Sequence, residues 1–152
     1  MRKAATVAIA GAIAAAGIWV LNNGAETGGQ LPYLDSDAVA AGQGLYQGYC
    51  ASCHGDDLEG EGDWRQRDDD GYLPAPPHSE RGHTWHHPDA QLIAITTYGS
   101  AALVGGGYKS RMAGYKDVLS EQEIREVLAY IKSTWPQDVI RKHNEINAAA
   151  SG

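Results

Sequence analysis

From Ala4 to Leu21 the chain is apolar, broken only by glycine and Thr6, and Arg2 and Lys3 stand in front of it. Those eighteen residues, at 1.5 Å each, reach roughly 27 Å, the thickness of a bilayer core. The positive flank puts the rest of the chain outside the cytoplasm. A cleaved signal peptide is the rival reading, because Ala14-Ala15-Ala16 offers a small-residue cleavage site. The run continues past that site through Gly17-Ile18-Trp19-Val20-Leu21, which favours a retained anchor. On both readings, residues 1–21 direct export. Residues 22–32 are polar and glycine-rich and read as a flexible linker.

Helical periodicity returns within 33–146. Ser36 or Asp37 caps a helix through Ala38, Ala41, Leu45 and Tyr46 that ends near Cys50. Pro88-Asp89 opens a second, with Leu92, Ile93, Ile95 and Thr96 inward and Gly99 past its end. Ser120 and Glu123 form a capping box for a third, in which Ile124, Val127, Leu128 and Ile131 recur at helical spacing before Pro136. A short fourth is expected from Gln137 to Glu145, and residues 147–152 read as a disordered tail. The expected fold is all-α, three to four helices joined by long loops. The stretch from Gly55 to His87 has so little periodicity that it needs something to fold around.

Composition sharpens this. The 152 residues include no Phe, only two Cys and two Met, and carry a formal charge of −7. A core without Phe relies on aliphatic residues, Trp and Tyr, or borrows apolar bulk from a cofactor. The acidic balance argues against nucleic acid as a partner.

The two cysteines fall in Cys50-Ala51-Ser52-Cys53-His54, the C-x-x-C-H pattern of covalent haem attachment. Two thiols three residues apart at a helix end can reach the two vinyl groups on one porphyrin edge, and the next His lies under the iron. A redox dithiol would call for a βαβ context, and a zinc site for two further ligands at matched spacing.

With Gly42 and Tyr46 eight and four residues before Cys50, and Val127-Leu128-Ala129-Tyr130 in the last strong helix, the chain resembles the class I cytochrome c family. The resemblance covers most of Tyr33–Trp135. It implies one covalent haem c, with Gly42 letting the first helix approach the C-terminal one and Tyr46 and Tyr130 packed at the crossing. It also implies His54 and Met112 as the two iron ligands. Met112 follows Gly105-Gly106-Gly107, but Ala113 stands where the family often has Pro. Pro76 or Pro77 would offer the carbonyl that fixes the proximal His, and Trp85 an N–H to a haem propionate.

His78, His83, His86 and His87 crowd ten residues. A second metal site, such as copper, is one reading and a His that competes for the haem iron is another; a polar loop leading into a helix is the third. Residues 56–70 hold eight carboxylates against Arg65 and Arg67, in a spacing unlike an EF-hand, and read as a solvated face. Lys109, Arg111 and Lys116 flank Met112, so a locally basic docking patch is expected there, away from the acidic loop.

The resulting expectation is a periplasmic one-electron carrier, not an enzyme, with a single His/Met haem. It would be anchored in the inner membrane by its N-terminal helix, or soluble if cleaved. Its partners would be a quinol-oxidising complex or dehydrogenase as donor and an oxidase or reductase as acceptor. The alternatives are a peroxidase-like haem enzyme or sensor with a labile sixth position, and a fixed subunit of a respiratory complex.

Overall fold

The structure, a computed structural model, describes residues 31–152. The expected anchor or signal peptide at 1–21 and the expected linker as far as residue 30 lie outside the described residues. Six α-helices follow in order: α1 (Ser36–Tyr49), α2 (Ala51–His54), α3 (Asp89–Tyr98), α4 (Ser100–Val104), α5 (Glu121–Ser133) and α6 (Gln137–Ala150), with a 3₁₀ turn at Thr84–His86 before α3. Among the described residues β-structure is limited to one antiparallel bridge between Gly99 and Ala113.

The crossing of α1 and α5 is the centre of the fold. Asp35, one residue earlier than expected, caps α1 by accepting from the N–H groups of Asp37 (2.9 Å) and Ala38 (3.3 Å). Ser120 and Glu123 close the capping box of α5 as the sequence predicts. Its apolar stripe places Ile124, Val127, Leu128 and Ile131 in the core. A Cβ on Gly42 would overlap the backbone carbonyl of Glu126, so the two helices touch backbone to backbone there. Tyr46 and Tyr130 meet beside the contact, with ring centroids 5.5 Å apart.

Helix α6 runs five residues further than expected. Residues 147–150, read from sequence as part of a disordered tail, are helical. The reason is a polar contact, since the Asn147 side-chain oxygen accepts the Asp89 N–H at 2.7 Å at the start of α3. Asp89, Lys132 and His143, from α3, α5 and α6, are all fully enclosed. Lys132 Nζ donates to Asn144 (2.8 Å) and lies over the Tyr33 ring (4.3 Å). His143 Nε2 donates to the His87 carbonyl (2.9 Å). The linker also ends earlier than expected: Leu31 is buried, and its N–H donates to Asp89 Oδ2 at 3.0 Å.

Candidate haem site

Helix α1 ends at Cys50, whose own N–H still reaches the Tyr46 carbonyl (2.8 Å), and the four-residue α2 starts anew at Ala51. This break sets Cys50 and Cys53 at the rim and His54 inside, with Cys53 exposed and His54 buried. Gly55, at φ +82°, then turns the chain away, and its carbonyl accepts from the Tyr46 hydroxyl at 2.7 Å. Burial, followed by the neighbouring Cys53, pushes the Cys50 thiol up to about 11. A redox dithiol needs the reverse, a thiol lowered towards neutrality.

His54 Nδ1 lies 2.8 Å from the Pro76 carbonyl, which settles the choice between Pro76 and Pro77 as the hydrogen-bond partner. A carbonyl only accepts, so Nδ1 carries the proton and Nε2 keeps its lone pair. Burial holds the imidazole below its ordinary value, opposed by the Pro76 carbonyl and by Glu61. The neutral ring is the one that can bind a metal ion.

His78 stacks on His54 with centroids 4.0 Å apart and planes 25° from parallel. Its Nδ1 meets Thr84 Oγ1 at 2.8 Å, and its carbonyl accepts from the Trp135 indole at 2.7 Å. This backing for the proximal ring was not legible in the sequence, where His78 counted only as one of four clustered histidines. The four do not converge. His83 stacks on Trp64 and His86 on Trp85, and among the described residues no three His, Cys, Asp or Glu side chains are placed to hold a metal. Trp85, expected to offer its N–H to a propionate, donates it to the Glu80 carbonyl at 3.2 Å.

Met112 is half-buried on the segment between α4 and α5, and its N–H donates to Ser110 Oγ at 3.0 Å. Beyond it the chain is laid against α3. Tyr115 and Lys116 donate to the carbonyls of Thr96 and Thr97 at 3.0 Å each, and Gly99 pairs with Ala113. Gly99 and Gly114 are needed at this approach because a Cβ on either would strike the opposite backbone. Gly105, Gly106 and Gly107 have open space around them; what they supply is positive φ (67°, 59° and 78°). The Tyr115 hydroxyl donates to the Tyr49 carbonyl at 2.7 Å, tying the Met112 segment to the residue before Cys50.

The cations flanking Met112 are not the free basic patch that the sequence suggests. Arg111 pairs with Asp68 at 2.7 Å, Lys109 donates to the Asp70 carbonyl at 2.7 Å, and Lys116 pairs with Asp117 at 2.7 Å. The acidic loop therefore lies against the Met112 segment instead of apart from it.

These residues fit a covalent haem. Two thiols stand at a helix end, the next His has one nitrogen fixed and the other available, and a thioether segment is tied to the same helix end. Tyr98, Leu103, Val104 and Val118 leave apolar surface exposed along that segment. Met112 would offer the iron a second ligand, a soft thioether that favours its reduced state.

A family model described as Cytochrome c matches residues 39–135, ending just before α6. Among solved structures the chain is similar to cytochrome CL from the marine methylotrophic bacterium Methylophaga aminisulfidivorans. The two share 24% identity at a TM-score of 0.52, over 95% of this chain and 86% of that one, a likeness of fold. No curated protein matches the sequence.

Proposed function

Because the chain belongs to the cytochrome c family and so carries covalent haem c on Cys50 and Cys53, we propose that it is a periplasmic one-electron carrier with iron held between His54 and Met112. The observation that carries this is the 2.8 Å contact from His54 Nδ1 to Pro76, which leaves Nε2 free to bind metal. When bound, haem c stores one electron at its iron and exchanges it through its edge.

The protein's part is to hold both ligands still as the charge changes. On the proximal side Pro76 fixes the tautomer of His54 and His78 backs the ring. On the other side the Met112 segment is pinned to α3 and, through Tyr115, to the end of α1. Small motion at the ligands means a small reorganisation cost, and no side chain has to move a proton. The donor would be a quinol-oxidising complex or dehydrogenase and the acceptor an oxidase or reductase. The apolar residues 4–21 would keep the carrier at the outer face of the inner membrane.

The test is the optical spectrum of the oxidised, haem-loaded protein. The weak long-wavelength band of thioether-bound ferric haem is expected in wild type and lost in Met112→Ala. Wild type without that band, binding carbon monoxide readily once reduced, would instead have an open sixth position and belong with haem enzymes or sensors. Membrane and periplasmic fractionation checks the location, and native co-purification separates a diffusing carrier from a fixed subunit.

A further inference from the structure

Met112 has no proline after it, yet the side chain of the residue before it is held from two directions. Arg111 Nη2 contacts Asp68 Oδ2 at 2.7 Å, and its guanidinium lies 4.2 Å over the Tyr72 ring. Asp68 is itself prearranged: its Oδ1 accepts from the N–H groups of Tyr72 (2.8 Å) and Asp70 (3.1 Å). Lys109 repeats the pattern one step earlier, donating to the Asp70 carbonyl and lying 5.6 Å over the same ring. A third contact places Arg67 5.2 Å over the Tyr108 ring. Two cations, alternating along the chain up to Met112, are thus clamped by one turn, residues 67–72. Four residues past Tyr72 the same stretch supplies the Pro76 carbonyl that holds His54.

We propose that Asp68 is a positioning residue for the axial sulfur: through Arg111 it restrains the Met112 segment from the acidic loop, in place of a proline in that segment. The inference rests on Met112 being the sixth ligand. A carboxylate–guanidinium pair backed by an aromatic face fixes direction as well as distance, which a lone surface ion pair does not. With the clamp intact the sulfur stays where iron needs it; with the clamp cut, the segment swings on its glycines and an outside ligand competes better.

The experiment is imidazole titration of the oxidised, haem-loaded protein, at a pH where imidazole is neutral, followed by loss of the thioether band. Asp68→Asn and Arg111→Gln are each expected to tighten imidazole binding about three- to tenfold, with the double variant no worse than either single one. Arg111→Lys should fall between, keeping the charge and losing the planar guanidinium that lies over Tyr72. Asp69→Asn, which removes the same charge next door, should match wild type. Raising salt on the wild type should move affinity in the direction of Asp68→Asn, which keeps the test available if a variant fails to accumulate. Wild-type affinity in Asp68→Asn, with the band present in wild type, overturns the clamp alone. Absence of the band from wild type overturns the ligand reading and the clamp with it.

Discussion

Lys132 Nζ and Asp89 Oδ1 face each other 4.0 Å apart with both side chains shut off from solvent. The pair joins α5 to the start of α3, and through Asn144 and Asn147 both helices hold α6. Such a pair adds little over a well-packed apolar replacement, but each half is costly to leave alone. Asp89→Ala and Lys132→Met are each expected to lower unfolding free energy by about 3–5 kcal/mol. The combined Asp89→Asn/Lys132→Met variant should recover much of that loss. Guanidinium unfolding of the haem-loaded protein reads all three.

His143 gives the same cluster a pH dependence. Its Nε2 hydrogen is on the His87 carbonyl, and its Nδ1 is buried without a partner. Protonation would put a second N–H where nothing accepts it. Burial, then the Lys132 charge, accordingly lowers the imidazole below its ordinary 6.5, against the pull of Asp89 and the His87 carbonyl. The folded state binds this proton less readily than the unfolded chain does. The contribution is therefore fully present above pH 6.5 and is lost as pH falls below it. Melting temperatures measured between pH 7.5 and pH 5 should drop less steeply in His143→Gln than in wild type; an equal or steeper drop would contradict the assignment.

Gly42 and Gly44 lie on the same helix and should respond oppositely to alanine. A methyl on Gly42 meets the Glu126 backbone, and one on Gly44 meets nothing within 4 Å. Gly42→Ala is expected to destabilise by about 1–3 kcal/mol through displacement of α5. Gly44→Ala should stabilise by about 0.5–1 kcal/mol because it removes backbone freedom from a helix interior. Both are read in the same denaturation experiment.

Residues 56–70 and 109–117 together hold nine carboxylates against five cations. With the two stretches in contact, the surface beside Met112 is net negative. Electron exchange with a cationic metal complex should slow as salt rises, and exchange with an anionic complex of similar potential should quicken. Stopped-flow rates at two ionic strengths decide the sign.

The α1–α5 crossing could be read from sequence because it rests on local signals: helical spacing, a capping box, and a glycine four residues from a tyrosine. The C-x-x-C-H pattern was legible for the same reason. The short helices α2 and α4 were not, since four or five residues carry no period. Pro76 and Pro77 differ only in where the backbone points, which composition does not encode. The burial of Lys132 has no local signal either. A lysine near the end of an amphipathic helix reads as solvent-facing, and only α6 folding over it, with Asn144 as acceptor, makes burial possible. The Asp68–Arg111 pair spans 43 residues, beyond any local pattern.

Long, exposed and rich in charge, the loop after Gly55 looks like the natural place to splice in an affinity tag or a reporter domain. Its interior argues otherwise. Leu58 is buried at φ +65°, and its carbonyl accepts the His78 N–H at 2.9 Å. Glu61 takes the Ala75 N–H at 2.5 Å. An insertion between residues 58 and 76 would disturb the turn that holds Arg111 or the carbonyl that holds His54.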